Sequence, residues 1–415
     1  MKYKFINLVT LCSLLPIVTS AYELERVSVH GYGTLGVAFQ DNKDVLYRNS
    51  LNMDKGSQGD FSLANYSSFG LQLDIKATDN LSLTAQSVVS EKNSNGKLIE
   101  LGWLNAKYDL SDTLSVRVGK MRLPAFMSSD IVDVAYSYDW MRLPDMYSIM
   151  PVNNYVGIEF NHEVAFDKFS IMSTFLYGQG KSVIYNSSNE GTIKKSDIEI
   201  KRIYGLAFKL LSDDVTFRLA YYGDVQFTLK NQEMDNVLAG LNSLGVPSVN
   251  QAINKYKINE APLEYFAIGG KYDFKNMYLL AEYIEMNTDT FLADNTSWYV
   301  GSGYNFENWS PFILYSRVKS TQNYKDIPIQ EGSPMEIIGL ITGVNQALRG
   351  ISESMTNMEL DTVSLGFRYN LSENSVFKFQ YDKQKELKKN RVNFHFSNDT
   401  SADLDVFSAA VNFTF

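Results

Sequence analysis

From residue 27 almost to its end the chain repeats one pattern, an apolar residue at every second position, in runs separated by polar connections. Val27, Val29, Leu35, Val37 and Phe39 share one face of the first run, with Ser28, His30, Tyr32 and Thr34 opposite. Phe69-Leu71-Leu73-Ile75 follow against Gly70-Gln72-Asp74-Lys76, then Leu104-Ala106-Tyr108-Leu110 against Trp103-Asn105-Lys107-Asp109. The series continues through Tyr204-Leu206-Phe208-Leu210 and Val363-Leu365-Phe367-Tyr369 to Phe407-Ala409-Val411-Phe413-Phe415. Side chains alternate across a strand, so each run predicts a half-apolar β-strand. The runs number about sixteen, each near the 9 to 11 residues that a tilted membrane-crossing strand needs.

The connections are of two kinds, and they alternate. Thr78-Asp79-Asn80, Ser111-Asp112-Thr113, Ser212-Asp213-Asp214, Lys275-Asn276, Glu307-Asn308 and Ser372-Glu373-Asn374 are short polar turns. Between them lie long polar segments at 41–65, 178–197, 226–262, 319–357 and 384–403. Short turns on one side and long loops on the other predict a closed transmembrane antiparallel β-barrel, with its turns periplasmic and its loops extracellular. Tyr108, Tyr272, Phe274, Tyr304, Phe306 and Tyr369 gather just before the short turns, the depth that rings with one wet and one greasy end prefer. A soluble β-sandwich would also alternate, but nothing in it would make its connections so unequal.

The pattern breaks once, after Leu114-Val116-Val118. Residues 124–153 have no alternation, hold Pro124, Pro144 and Pro151 of the 9 prolines, and carry Asp130, Asp133, Asp139 and Asp145 with one arginine, Arg142. Structureless inserts of about thirty residues are functional or disordered, and the Tyr136, Tyr138, Trp140, Met141, Met146 and Tyr147 of this one argue for packing. It is expected to fold into the barrel mouth and narrow it.

The one continuously apolar segment is N-terminal, with Lys2 and Lys4 ahead of Phe5 and small residues at Thr19, Ser20 and Ala21. It reads as a secretory signal peptide over 1–21, too short to span a bilayer, which leaves 22–415 as the barrel. The only cysteine, Cys12, lies inside it, so the mature chain is expected to have no disulfide. Loss of Lys2 and Lys4 takes the formal charge from −9 to −11, which argues against nucleic acid as a partner. Aromatic content of 13% with 26 glycines and negative mean hydropathy fits many half-apolar strands.

Val29-His30-Gly31-Tyr32-Gly33, Trp103-Leu104-Asn105-Ala106-Lys107-Tyr108-Asp109-Leu110, Arg117-Val118-Gly119-Lys120-Met121-Arg122-Leu123-Pro124 and the terminal Asn412-Phe413-Thr414-Phe415 resemble the Gram-negative outer-membrane porins. The resemblance covers the whole mature chain, though its motifs are short, and the insert lacks the family's Pro-Glu-Phe-Gly turn. It implies an all-β barrel of sixteen strands, usually a homotrimer, in the outer membrane among lipids and lipopolysaccharide. It further implies that the third extracellular loop enters the lumen, and the insert stands where that loop belongs. Phe415 resembles the family's C-terminal assembly signal.

If the apolar faces meet lipid, the opposite faces line water. Arg117, Arg218, Arg368 and Lys378 each lie a few residues from a short turn and are expected to form a basic arc, facing the acidic insert with its Asp130, Asp133, Asp139, Arg142 and Asp145. Opposed charges across a constriction sort permeants by charge. The competing reading is that these ion pairs only hold the insert in place. Two extracellular segments carry helical spacing: Met234, Val237, Leu238, Leu241 and Leu244, and then Ile337, Ile338, Ile341, Val344 and Leu348 after Ser333-Pro334-Met335-Glu336. They are expected to pack over the entrance.

His30, His162 and His395 stand on a strand, a turn and a loop with no nucleophile placed beside them, so no catalytic residue is expected. No cofactor is expected, and no cluster has metal-ligand spacing. The sequence therefore predicts a passive diffusion channel for ions and small hydrophilic solutes, with slight cation preference from the insert aspartates. The alternatives are a solute-specific pore, with anions bound by the basic arc, and a surface adhesin or receptor on a plugged barrel.

Overall fold

The computed structural model of the chain describes residues 26–63, 66–187, 193–321, 323–356, 358–388, 394–396 and 403–415. The expected signal peptide at 1–21 lies outside them.

The alternating runs become strands β1 (Val27–Gln40), β2 (Ser68–Lys76), β3 (Leu81–Ser90), β4 (Ile99–Asp109), β5 (Leu114–Arg122), β6 (Asn154–Ala165), β7 (Phe169–Ser187) and β8 (Ile193–Ser212). They continue as β9 (Val215–Lys230), β10 (Ala261–Phe274), β11 (Met277–Thr288), β12 (Asp294–Tyr304), β13 (Trp309–Thr321), β14 (Glu359–Ser372), β15 (Ser375–Lys388) and β16 (Leu404–Thr414). These sixteen strands pair antiparallel with their neighbours in chain order, and β1 closes the ring by pairing β2 on one edge and β16 on the other, from Tyr32 opposite Thr414 to Gln40 opposite Val406. Closure leaves no open edge, as a structure surrounded by hydrocarbon requires, because each backbone N–H and C=O there must find a partner within the protein.

The outward face is the apolar face read from the sequence. Leu71, Leu104, Val118, Phe160, Leu206, Leu279, Ile313 and Leu365 are exposed on it. At the seam the Phe415 ring lies across Gly31 and beside Phe69, and a Cβ at Gly31 would overlap that ring. The two chain segments also exchange backbone hydrogen bonds between Gly31 and Phe415.

Three departures from the sequence reading have local causes. Segment 178–197 was expected to be a loop, yet β7 and β8 run through all of it that is described, with Ile198 opposite Ser182 and Ile193 opposite Ser187. Its polar residues are strand residues in an extended two-strand ladder, where the ladder's hydrogen bonds decide the conformation. Secondly, β9 has a register shift between Tyr222 and Val225, where Asp224 takes φ 46°. Such a bulge turns over the alternation, so Asp224, which counting by twos from Arg218 would place on the water side, pairs instead with Arg202, which also lies near the outward Tyr204 ring. Thirdly, the inner wall is not polar throughout. Toward the periplasm it carries Lys107, Arg117, Lys209, Arg218 and Lys271, whereas Leu176, Tyr222, Phe227, Ile284, Leu314 and Val318 form a buried apolar cluster on the extracellular half of β7–β13.

That apolar wall is covered by extracellular helices. Segment 231–260 folds into α1 (Gln232–Asn242) and α2 (Pro247–Tyr256), the first capped by the Asn231 side chain and the second with proline at its start. A longer α3 (Met335–Thr356) follows β13. Met234 and Leu238 of α1, Val249 and Ile253 of α2, and Ile341, Val344 and Leu348 of α3 join the same cluster. The two helical patterns thus pack into the barrel mouth on one side.

Candidate functional site

Inside β5, three residues before the insert leaves the wall, the backbone takes a conformation that favours glycine. Gly119 takes φ 134°, and a Cβ there would meet the Leu104 carbonyl oxygen at 2.2 Å. Beyond it β5 ends at Arg122, and the Leu123 N–H donates to the Asn153 carbonyl at 2.9 Å, which ties the two ends of the excursion together. Between them the chain makes short 3-10 turns at Ser129–Ile131, Ala135–Ser137 and Asp145–Ser148. Its aromatic residues are what pack it. Phe126 stacks on Tyr147 at 4.3 Å and meets the edge of Tyr265, Trp140 meets Phe312 of β13 edge-on at 6.1 Å, and Met146 is fully buried. Burying an aromatic ring or a methionine contributes about 1.5–3 kcal/mol, so this packing draws the segment against the inner wall.

Polar contacts then fix it on opposite sides of the ring. The Tyr222 and Tyr265 hydroxyls donate to the Pro124 and Ala125 carbonyls at 2.8 and 3.0 Å. Glu282 of β11 accepts from the Met127 N–H at 2.7 Å and from the Tyr147 hydroxyl at 3.0 Å. Across the lumen, Gln380 of β15 accepts from the Met141 and Arg142 N–H groups at 2.8 and 3.1 Å. Arg142 pairs with Asp145 at 2.6 Å and with Asp382 of β15 at 3.3 Å, all three side chains being buried. Asp145 also accepts from Thr362 at 2.5 Å, Gln384 at 3.2 Å and Ser316 at 3.3 Å, so its carboxylate joins β13, β14 and β15 through one residue.

The residues expected at the constriction sort clearly by what they touch. Arg218 and Lys209 both reach Asp130, at 3.4 and 3.5 Å. Arg368 donates to the Tyr136 carbonyl at 2.7 Å and lies 3.9 Å from Asp139. Lys378, fully buried, donates to the carbonyls of Ala135, Tyr138 and Trp140. Arg218, Arg368 and Lys378 are thus bound to the insert along its length. Arg117 does not meet it: its partner is Glu159 of β6 at 2.8 Å, which also accepts from Tyr155 and Asn161. Asp133 pairs with Arg122, a residue outside the expected set. Every insert aspartate therefore has a cationic partner.

Space is left on the other side, between the insert and β1–β5. A cavity of about 150 Å³ lies there, lined by Thr34, Ser68, Ser90 and Lys92 of the wall side and by Ser129, Asp133 and Tyr138 of the insert. A second of about 290 Å³ opens below it among Lys107, Arg117, Glu159 and the periplasmic turn residues Ser111 and Asp112, and extends past β6 and β7 to Asp130 and Arg218. A third space, of about 30 Å³, is bounded by Lys92, Glu100, Arg122 and Asp133. Arg122 lines all three spaces, and Lys120 beside it is paired with Glu100 at 2.9 Å. Lys92, on the connection between β3 and β4, lies 5.1 Å from the Tyr66 ring and pairs with no carboxylate among the described residues. Burial pushes its ammonium pKa down to about 8, and the nearby Arg142 charge acts in the same direction. Lys92 and Tyr66 were not legible as site residues: each stands in a polar stretch like any extracellular turn, Tyr66 between β1 and β2 and Lys92 between β3 and β4, and only the inward fold of both connections brings them to the insert.

A family model for the Gram-negative porins matches residues 9–411. The chain belongs to the Gram-negative porin family. This porin is thus an outer-membrane channel, and its barrel resembles several solved ones. It matches OmpF of Salmonella typhi, solved in complex with daunomycin, at 13% identity and a TM-score of 0.53, over 94% of this chain and 97% of that one. It matches an anion-selective porin from Comamonas acidovorans at 11% identity and a TM-score of 0.52, over 94% and 99%. A loop-deleted form of the outer membrane protein OmpT of Vibrio cholerae matches at 12% identity and a TM-score of 0.51, over 94% and 100%. Identities this low speak for the fold. No curated protein matches the porin.

Proposed function

We propose that ions and small hydrophilic solutes diffuse through this porin between the insert at 124–153 and the wall formed by β1–β5, past Lys92, Arg122 and Asp133. The observation that carries this reading is the partition of the lumen: the far side is walled by an apolar cluster that water and ions avoid, and the near side holds a row of spaces reached by ionised side chains. The insert is the constriction, and Arg218, Arg368, Lys378, Arg142 and Asp145 hold it in position.

The same geometry favours anions. The cation preference expected from four insert aspartates loses its basis when each of them is held by a cation, whereas Lys92 presents an unneutralised charge to the smallest of these spaces. A charge on a constriction acts on every permeant that passes, and an ammonium lowers the barrier for anions. Assembly as a homotrimer, a signal peptide removed after residue 21, and an outer band solvated by lipid and lipopolysaccharide belong to this proposal, supported by family membership. The proposal assigns no catalytic role to any residue.

The zero-current potential of the porin in a potassium chloride gradient tests the assignment. Its sign should show chloride preference at about pH 6, where the Lys92 ammonium is charged, and the preference should fade as pH rises through about 8, where the proton is lost. Potassium preference at about pH 6, or a potential that does not change by about pH 10, would exclude Lys92 as the selectivity residue.

A further inference from the structure

Behind the insert, on the side away from the ionic passage, lies a chamber that the proposed route does not use. It has a volume of about 170 Å³ and is walled by Ile200, Val225, Phe227, Leu263 and Met286 of the barrel and by Ile149 of the insert. The polar side chains at its margin are already engaged. Thr288 donates to the Pro262 carbonyl at 3.1 Å, and Asn295 donates to the Ser320 hydroxyl at 3.4 Å while accepting from Ser297 at 2.7 Å. A buried water needs two to four polar partners, and a chamber of this lining offers few. Apolar cavities of about 150 Å³ stay dry and take up benzene or xenon.

Two neighbours give the chamber access. Thr288 also lines a cleft of about 990 Å³ beneath α2 and α3, where Tyr256 and Phe291 stack at 4.5 Å. Met150 and Val152 line both the chamber and the upper space of the ionic passage. An apolar molecule arriving under the extracellular helices thus leaves a mixed polar and aromatic cleft for a wall of aliphatic and aromatic side chains.

We infer that this chamber is a binding site for a small apolar solute, about the size of a single hydrocarbon ring. The inference goes beyond the ionic route and stands whether or not Lys92 sets charge preference, since no charged residue lines the chamber. Nothing in passive ion diffusion needs an accessible dry chamber, and a packed core would simply fill it.

Xenon provides the test. Crystals of the intact porin under xenon pressure should show a peak inside the chamber, separate from any xenon in detergent on the outer wall. The Ile200→Trp variant should abolish that peak while the outer-wall sites persist, and Leu263→Phe, a milder filling, should reduce its occupancy and serves should Ile200→Trp not fold. Benzene should raise the Tm of the wild type in the same detergent more than that of the filled variant. A chamber without xenon, a chamber occupied by ordered water, or a peak unchanged in a folded filled variant would overturn the inference.

Discussion

Asp145→Ala raises the single-channel conductance several-fold and makes the open current noisy. The Asp145 carboxylate accepts from Arg142, Thr362, Gln384 and Ser316, and it is buried. Its removal leaves the Arg142 guanidinium with Asp382 as its remaining carboxylate partner and strips three wall donors of theirs. Breaking a buried ion pair from one side costs up to about 3–5 kcal/mol when the remaining charge is left uncompensated, and the Asp382 that Arg142 keeps places this loss below that limit. The barrel does not bear that loss, since its ring of strand pairs is untouched; the insert does. The second half of the segment should detach from β13–β15 and swing in the lumen. Asp145→Asn, which keeps an acceptor for the hydroxyls but loses the charge, should lie between the two. Planar-bilayer recording reads the conductance, and limited proteolysis reads the freed segment. Conductance and cleavage both equal to wild type would mean that the insert stays in place without this contact.

Lys92→Glu reverses the charge preference. A unit charge about 8 Å from a permeant in water-like surroundings is worth roughly 0.5 kcal/mol. Anion and cation feel it with opposite sign, and the exchange changes two units, so the preference shifts by about 2 kcal/mol, around 30-fold. Screening reduces this to about 3-fold at physiological ionic strength, where the Debye length is about 8 Å. Lys92→Gln should give half the free-energy shift, and Lys92→Arg should keep chloride preference while losing the pH dependence near 8, because a guanidinium stays protonated there. The same substitutions at Lys209, which is paired with Asp130 and lines none of the three spaces, should move the zero-current potential far less. Equal shifts at Lys92 and Lys209 would place the current elsewhere.

The outer wall was legible because lipid imposes a single rule on it. Leu71, Leu104, Val118, Phe160 and Leu365 had to be apolar, their neighbours did not, and sixteen strands followed. The apolar half of the interior was hidden by the same rule. In Tyr221-Tyr222, Leu279-Leu280 and Phe312-Ile313-Leu314 both faces are apolar, the mark of a strand buried on both sides, yet the outward set alone explains the alternation. The insert announced itself by losing the period of two and by its prolines and rings. Its partners did not, since Arg142 meets Asp382 across 240 residues of chain, and only the closure of the ring brings them together. The bulge at Asp224 shows the limit of counting by twos: one extra residue exchanges the faces, and no local signal in Tyr222-Gly223-Asp224-Val225 marks it beyond a glycine.

Cysteine accessibility during conduction tests the central claim most directly, because the chain's one native cysteine, Cys12, is N-terminal and is readily replaced by serine. With a cysteine placed at 92 or at 133, a charged thiol reagent added to the open porin should change the current stepwise, and a cysteine at 227, in the apolar half, should leave it unchanged. Block from position 227 with none from 92 or 133 would contradict the account, placing the water on the side of the insert assigned here to hydrocarbon.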